Sequence, residues 1–274
     1  MSKFEGINAA ITGGADGIGL GLARALGKRG ARVALLDIRE VAAKAAAEML
    51  RSEGIEAIGL WCDVTDRASI EAAAAGVAKA FGSMGLLWAN AGVGVQGQLT
   101  TVPAKHMDWV YAVNVKGMID TVQSFWPHLL AAEGVRHLGF TGSSNTLGHI
   151  PDTPLGVYAA SKWASIGVAE SVSAQAMGLG MGATIFCPGL LDTRIWDGGR
   201  ARPEQFGGPV YQPEEAGEFW RTKGMSVEWA CEAAVAAAEN GTLYCCPVDQ
   251  HSLDDFETRM MNVRKGFVIH PARD

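Results

Sequence analysis

The chain has no long apolar run and no cluster of basic residues. Its N-terminal stretch, MSKFEGINAAITGG, holds only a short apolar segment that runs into glycines, so we expect neither a signal peptide nor a membrane span. The formal net charge of -6 argues against nucleic acid or an anionic membrane as a partner. We therefore predict a cytoplasmic protein with a small-molecule substrate.

Cysteine and histidine also lack the spacing of a disulfide framework or a metal centre. The cysteines are odd in number, two are adjacent, and no two form a C-x-x-C pair. The six histidines show no H-E-x-x-H or similar ligand pattern. We expect free thiols in a reducing compartment and no metal. The five cysteines are Cys62, Cys187, Cys231, Cys245 and Cys246.

Apolar strand-like runs alternate with alanine-rich helical stretches along most of the chain. Strands with few polar positions, separated by helices, indicate a parallel sheet covered on both faces, so we predict an α/β, doubly wound, Rossmann-type sheet. No composition break divides residues 1–274, and we expect a single domain that ends in a polar tail. The predicted strands cover residues 7–12, 32–37, 55–64, 85–92, 135–144, 181–189 and 242–248.

Residues 190–226 depart from this alternation. They hold several aromatic side chains among glycines and prolines, which is typical of a long insertion with a function, and we predict a substrate lid. Its aromatic residues either line a site for a bulky, apolar substrate or pack the lid and a subunit contact. These residues are Trp196, Phe206, Tyr211, Phe219 and Trp220.

The stretch TGGADGIGLG follows the first predicted strand and opens the first helix. Gly13, Gly17 and Gly19 permit a tight turn and let the backbone approach a pyrophosphate at the helix N-terminus. Asp16 and Ile18 lie in the same loop. Glycines at this place in an alternating chain predict dinucleotide binding, although the spacing is G-x-x-x-G-x-G.

Asp37 ends the second predicted strand, about 20 residues beyond the glycine loop, where an acid can bind the adenosine ribose. Its carboxylate would repel the 2′-phosphate of NADP, and Asp16 adds to that repulsion. Arg39 is the contrary feature, and Asp37 could instead cap the second helix. We predict NAD as the cofactor, with NADP less favoured.

Three motifs occur in order: the glycine loop, NAG at 90–92 and YAASK at 158–162. With them the chain, from about residue 5 to residue 194, resembles the short-chain dehydrogenase/reductase family. The resemblance implies an NAD(P)-dependent alcohol dehydrogenase or ketoreductase. It also implies a homo-oligomer, a dimer or a tetramer.

Tyr158 and Lys162 are one helical turn apart on the same face. A free tyrosine has a pKa of about 10, and a nearby ammonium together with oxidised nicotinamide favours the phenolate. This pair is therefore suited to taking the proton from an alcohol. The resemblance implies that Lys162 also holds the nicotinamide ribose.

The resemblance implies further site residues. Either Ser143 or Ser144 steadies the substrate oxygen; strand alignment favours Ser143, while counting back from Tyr158 leaves Ser144 open. Asn114 would kink a helix and hold a water that links the lysine to solvent. The implied cofactor contacts are Asp63 and Val64 for adenine, Asn90, Ala91 and Gly92 at the fourth strand, and Pro188, Gly189, Leu191 and Thr193 for the carboxamide.

Two segments, RARPEQFGGPVY (200–211) and AAENGTLYCCPVDQ (237–250), are similar to bacterial Cα-dehydrogenases that oxidise benzylic alcohols of lignin-derived aryl ethers. This favours an NAD-dependent oxidoreductase for a bulky, apolar or aromatic secondary alcohol. An NADP-dependent ketone or 3-ketoacyl reductase is the alternative within the fold. A non-catalytic, cofactor-binding regulator is the alternative outside enzymes.

Overall fold

The computed structural model describes residues 2–148 and 155–268, and within them seven strands form one sheet. Every neighbouring pair is parallel, and the order is β3-β2-β1-β4-β5-β6-β7. The order reverses between β1 and β4, as in a doubly wound Rossmann-type sheet, so the predicted fold class is confirmed. The strands are β1 (Asn8–Thr12), β2 (Arg32–Asp37), β3 (Ala57–Trp61), β4 (Leu86–Ala89), β5 (His137–Thr141), β6 (Gly182–Phe186) and β7 (Tyr244–Cys245).

Helices cover both faces of the sheet. Side chains of α1, α2 and α8 pack in one buried cluster, and those of α3, α5 and α6 pack in the other. The apolar strands have both faces buried, which explains their lack of polar alternation. The helices are α1 (Gly17–Gly27), α2 (Glu40–Ser52), α3 (Arg67–Phe81), α4 (Ala104–Tyr111), α5 (Met118–Ala131), α6 (Gly156–Gly178), α7 (Glu218–Lys223), α8 (Val227–Glu239) and α9 (Gln250–Lys265).

Most predicted strands are longer than the observed ones, because the ladder stops where the chain turns into the loops that carry polar residues. The predicted 85–92, for example, is Leu86–Ala89, and the predicted 135–144 is His137–Thr141. These loops at the carboxyl ends of the parallel strands are where ligands bind in such sheets.

The C-terminal part differs from the predicted polar tail, since Gln250–Lys265 forms the helix α9. The Asp249 side chain caps it by accepting from Ser252 N–H (2.9 Å). None of its residues is buried, so it has no apolar face for periodicity to reveal. One contact with the body is Arg259, whose guanidinium lies 3.9 Å from the ring centroid of Trp163 on α6.

The segment 190–226 leaves β6 and returns at α8. A bridge joins its two ends: Met225 N–H donates to Leu190 O (2.9 Å), and Asp192 N–H donates to Met225 O (3.0 Å). Between them the chain forms 3-10 turns at Arg194–Ala201, Glu204–Phe206 and Glu214–Gly217, followed by α7. We keep the name lid for residues 190–226.

Candidate active site

Hydrogen bonds between strand ends form the base of the site. Asn90 Nδ2 donates to Thr12 O (2.9 Å), and the backbone N–H of Asn90 donates to Thr12 Oγ1 (3.0 Å). Thr141 Oγ1 donates to Asn90 Oδ1 (2.9 Å), and Trp88 Nε1 donates to Thr141 Oγ1 (3.1 Å). These bonds join the carboxyl ends of β1, β4 and β5.

Trp88 is fully buried in this base. Its ring lies over Gly139 on the neighbouring strand, where a Cβ would come within 2.3 Å of the ring. Trp88 therefore requires glycine at that position, and in return it donates the hydrogen bond that orients Thr141.

The glycine loop has the close approaches that its sequence predicts. Gly13 and Gly17 have φ values of +63° and +48°, which glycine adopts without strain. A Cβ on Gly19 would lie 2.0 Å from Gly13 O, so a side chain cannot fit where α1 begins. Asp16 caps this helix, and its carboxylate accepts from Gly17 N–H (2.8 Å). Ile18 packs against the buried cluster on the α1 side.

Asp37 is buried at the end of β2 and faces the glycine loop. Its Oδ2 accepts from Ala15 N–H (3.2 Å), and its Oδ1 accepts from the backbone N–H (2.9 Å) and Nε (3.3 Å) of Arg39. The residue that precedes α2 is Arg39, so Asp37 does not serve as its cap. The carboxylate and the guanidinium stand together at the ribose end of the predicted cofactor site.

The lid reaches the glycine loop through Arg200. Its guanidinium donates to Asp16 Oδ2 (3.0 Å) and to the carbonyl of Asp197 (2.8 Å) within the lid. Arg200 is only 15% exposed, and burial lowers the pKa of its guanidinium, with Arg39 as a further positive charge nearby. This ion pair joins residues 184 positions apart, and neither residue alone suggests it.

Tyr158 stands at the N-terminal part of α6 beside Ser143 and Gly94. Burial raises the pKa of the Tyr158 phenol, and a hydrogen bond with the Ser143 hydroxyl opposes that rise. The sequence predicted a lowered pKa for this phenol; in the protein alone burial outweighs the hydrogen bond. Ser143 is buried, whereas Ser144 begins a 3-10 turn and its N–H donates to Pro188 O (2.9 Å).

Lys162 lies one turn farther along α6 and is 3% exposed. Its Nζ donates to Thr141 O (2.9 Å) and lies 6.0 Å from the centroid of the Tyr158 ring. Burial lowers the pKa of this ammonium to about 8, so it stays charged at neutral pH. A Cβ on Gly92 would lie 3.1 Å from Nζ, so Gly92 leaves the room that the ammonium occupies.

Asn114 lies within a π-helical turn, Ala112–Gly117, between α4 and α5. Its Oδ1 accepts from Val93 N–H (2.8 Å), and its Nδ2 donates to Val93 O (2.9 Å) and Ser161 Oγ (2.9 Å). The π-helical turn interrupts the α-helical hydrogen bonding at Asn114. It ties the loop after β4 to the helix that carries Tyr158 and Lys162.

The predicted carboxamide segment runs beside the glycine loop. Thr193 Cγ2 would lie 3.3 Å from a Cβ on Gly17, so the first turn of the lid lies close to the start of α1. Gly189 N–H donates to Pro247 O (3.0 Å), and Leu191 is buried. The segment thus contacts Pro247 at one end and the glycine loop at the other.

Asp63 and Val64 follow β3 at the far end of the cleft. Asp63 Oδ1 accepts from the N–H and the hydroxyl of Thr65 (both 2.8 Å), and Val64 is buried. A cavity of about 450 Å³ lies between this end and the lid turn Glu204–Phe206.

Ala91 lies next to Asn90 in the base of the site. Its Cα would lie 3.0 Å from a Cβ on Gly13, so it is close to the glycine loop.

Several residues of the site escape sequence reasoning. Thr12 and Thr141 resemble ordinary strand ends, and Arg200 resembles a solvated lid residue. Only the alternation of buried strands signals that the ends of β1 and β5 meet. Within residues 2–148 and 155–268, no three histidine, cysteine or acidic side chains gather as a metal would require, and no described helix is both long and apolar enough to cross a membrane.

Comparison with known proteins identifies the family that the sequence motifs resemble. The model of the short chain dehydrogenase family matches residues 8–203. A C alpha-dehydrogenase from Sphingobium sp. (strain NBRC 103272 / SYK-6) is 30% identical over 252 residues, which cover 90% of this chain and 82% of that protein.

Solved structures share the whole architecture. A short-chain dehydrogenase/reductase from Burkholderia phymatum in complex with NAD superposes with a TM-score of 0.87 at 28% identity, over 100% of both chains. The apo form of LigD from Sphingobium sp. strain SYK-6 gives a TM-score of 0.79 at 26% identity, over 97% of this chain and 100% of that one.

Proposed function

The chain belongs to the short-chain dehydrogenase/reductase family of nicotinamide-dependent oxidoreductases, and on that basis we propose that it transfers hydride between NAD and a bulky, apolar or aromatic secondary alcohol. The observation that carries this proposal is the arrangement of three groups. The Ser143 hydroxyl lies near enough to the Tyr158 phenol to lower its pKa, and the Lys162 ammonium lies one helical turn behind it, 6.0 Å from the ring centroid.

Tyr158 is the general acid and base in this proposal. Bound NAD supplies the hydride acceptor. Ser143 donates a hydrogen bond to the substrate oxygen and so places the hydroxyl proton at the phenolate of Tyr158. In the reverse direction the phenol returns that proton to the carbonyl oxygen.

Lys162 makes the phenolate accessible near neutral pH. Burial alone keeps the Tyr158 phenol protonated because it raises the pKa. A buried positive charge acts through a low local dielectric and favours the phenolate. The Lys162 pKa of about 8 keeps that charge at pH 7. We assign Lys162 the further task of binding the nicotinamide ribose.

The described residues fit a dinucleotide. A glycine cradle opens α1, the buried carboxylate of Asp37 stands at the end of β2, and Thr193 lies against Gly17. Backbone N–H groups at such a helix N-terminus bind a pyrophosphate. The Asp37 carboxylate accepts hydrogen bonds from Ala15 and Arg39. It favours NAD, because a 2′-phosphate at that place would meet a negative charge.

The surroundings of Tyr158 favour an apolar substrate. A Cβ on Gly94 would lie 3.5 Å from Tyr158 Cδ2 and 3.9 Å from Ile195 Cγ1. Gly94 is therefore close both to the phenol ring and to the lid residue Ile195. The similar C alpha-dehydrogenase adds support for a bulky alcohol.

Two of the lid aromatics have the packing role that the sequence allows. A Cβ on Gly217 would lie 2.4 Å from Trp196, so Trp196 packs inside the lid, and Phe206 packs against the core. Phe219 and Tyr211 are exposed. Packing therefore accounts for two of the aromatics, whereas Ile195, the lid residue near Tyr158, is aliphatic.

A Tyr158→Phe variant tests the catalytic assignment. Removing the general base should lower NAD-dependent oxidation by about 10²–10⁴-fold. Turnover is measured over aryl, steroid, terpene and polyol secondary alcohols, with the highest turnover expected on the bulky apolar ones. Tyr211→Phe, which makes the same change on a side chain 74% exposed, is the matched control and should keep wild-type turnover.

Two outcomes would contradict the proposal. Full turnover in Tyr158→Phe would remove Tyr158 from the chemistry. NADH binding without oxidation of any alcohol would favour the non-catalytic, cofactor-binding alternative.

A further inference from the structure

Cys187 and Cys246 are the residues that directly follow the neighbouring strands β6 and β7. The β6–β7 ladder pairs Ile185 with Tyr244 and Phe186 with Cys245, and Cys187 N–H then donates to Cys245 O (2.8 Å). The next pair in this register is Cys187 with Cys246. Opposite residues on neighbouring parallel strands lie about 4.8 Å apart at Cα, within the 4.4–6.8 Å that a disulfide spans.

The two thiols also lie on the same face of the sheet. Phe186 and Cys245 pack in the cluster on the α1 side, whereas Cys187 is buried in the cluster on the α6 side. Because side chains alternate along a strand, Cys246 points to the same side as Cys187. The two thiols are near enough to shift each other's pKa, raising that of Cys187 and lowering that of Cys246, which agrees with this register.

Cys187 lies beneath the catalytic serine. A Cβ on Gly142 would come within 2.8 Å of Cys187 Sγ, so the sulfur contacts the residue before Ser143. Ser143 and Thr146 lie near enough to this sulfur to lower the pKa of the Cys187 thiol. The next residue, Pro188, accepts from Ser144 N–H (2.9 Å). Any displacement of Cys187 therefore reaches the loop that carries Ser143.

We propose that Cys187 and Cys246 are a redox pair whose disulfide, formed by a peroxide, reversibly inactivates the enzyme by displacing Ser143. This goes beyond hydride transfer, and its chemical step can be tested without a substrate. Transient, redox-sensing disulfides are the kind expected in a reducing compartment.

Exposure and acidity assign the order of events. Cys246 is exposed and Cys187 is buried. The Cys187 thiol lowers the pKa of Cys246 by donating a hydrogen bond, and burial together with that same contact raises the pKa of Cys187. Cys246 is the attacking thiolate and Cys187 the resolving thiol.

The chemical balance is that of a peroxide oxidation. The Cys246 thiolate attacks one oxygen of hydrogen peroxide, the O–O bond breaks, and the departing hydroxide takes a proton to become water. The Cys187 sulfur then attacks the sulfenic acid, an S–S bond forms, the S–O bond breaks, and a second water leaves with the thiol proton. Two thiols lose two electrons, and one peroxide becomes two waters. A dithiol reductant reverses the bond by exchange.

The experiment treats the full chain with hydrogen peroxide and counts free thiols after denaturation. The count should fall from five to three, and peptide mass mapping should find Cys187 joined to Cys246. Dithiothreitol should restore five thiols. Retention of all five thiols, or a bond from Cys246 to Cys245 or to a second chain, would overturn the pairing.

Matched variants separate the pair from its neighbour. Cys245→Ser removes the adjacent thiol, which faces the other cluster, and should still form the disulfide. Cys246→Ser should keep basal activity and resist peroxide. Cys187→Ala should leave Cys246 unable to form the intramolecular bond; both variants are checked for folding by thermal melting.

Function is measured on the same samples. Oxidised wild type should lose turnover by about 10²-fold, the cost of misplacing a catalytic group by about 1 Å. Dithiothreitol should restore it, and Cys246→Ser should lose none. A complete Cys187–Cys246 disulfide with unchanged turnover would refute the control of the site. Failure of hydride transfer itself would appear instead in the untreated protein.

Discussion

At the scale of single residues, the preference for NAD or NADP depends on whether the Asp37 carboxylate or the Arg39 guanidinium is free to interact with the cofactor at the end of β2. Asp37 is buried and bonded to Arg39, whose NH1 also lies 3.8 Å from Asp16 Oδ2. Arg39 is thus held by two carboxylates and has little positive charge to offer a 2′-phosphate. In the sequence, Arg39 is the feature that favours NADP. Because Asp37 and Asp16 hold its guanidinium, its presence is compatible with NAD.

An Asp37→Ser variant should change this preference. Removal of the carboxylate ends its repulsion of a 2′-phosphate and releases Arg39, so the ratio of NADPH to NADH affinity should rise by at least about tenfold, or about 1.4 kcal/mol. Fluorescence titration with both reduced cofactors measures the ratio. The double variant Asp37→Ser/Arg39→Ala keeps the first change and removes the released cation. A gain in NADPH affinity that survives in the double variant would show that Arg39 does not bind the phosphate.

At the scale of elements, contacts at its base and along its length join the lid to the body of the protein. The bridge between Leu191 and Met225 closes its base, and the Asp16–Arg200 ion pair joins its middle to the glycine loop. Gln205 Nε2 reaches Thr65 Oγ1 at 3.4 Å near the end of β3. A lid placed in this way lies across the predicted cofactor cleft from the nicotinamide end to the adenine end.

An Arg200→Ala variant should weaken the hold of the lid on the cofactor. A partly buried ion pair of this kind contributes about 1 kcal/mol, so the dissociation rate of NADH should rise by about fivefold. Stopped-flow displacement of NADH measures the rate. Arg221→Ala removes a lid arginine whose contacts are with Glu214 inside the lid, and it should leave the rate near that of wild type. Equal rates in Arg200→Ala and wild type would show that the ion pair does not retain the cofactor.

At the scale of the whole molecule, a buried charge in the core lowers the stability of the fold. Lys162 has a pKa of about 8 in the folded protein and an ordinary value of 10.5, a difference of about 3 kcal/mol. Because the unfolded chain binds the proton more tightly, this penalty is complete below pH 8. It decreases as the pH rises from 8 to 10.5.

A Lys162→Met variant should therefore be more stable than wild type at pH 7 and inactive. Loss of the bond to Thr141 O costs about 1 kcal/mol, which leaves a net gain of about 2 kcal/mol. Urea unfolding at pH 7, 8 and 9 measures the difference, which should shrink as the pH rises. Lys44→Met, at a lysine side chain that is 60% exposed, should show no such trend. A difference that grows with pH would contradict a buried, charged Lys162.

Features that are local in the chain were determined by the sequence alone. The alternation of strands and helices, the glycines at positive φ in the first loop, and the one-turn spacing of Tyr158 and Lys162 all follow from backbone geometry over a few residues. The cap of α3, where Asp66 accepts from Ala68 N–H (3.0 Å), is equally local. The helix α9 was missed because its residues are all on the surface and give no apolar period.

Contacts between distant segments were decided only by the tertiary structure. The serine whose hydroxyl reaches Tyr158, the pairing of Arg200 with Asp16, and the alignment of Cys187 with Cys246 depend on which strand ends and loops meet. No residue in these pairs marks its partner in the sequence, because the register of a sheet and the path of a lid are set by the packing of the whole chain.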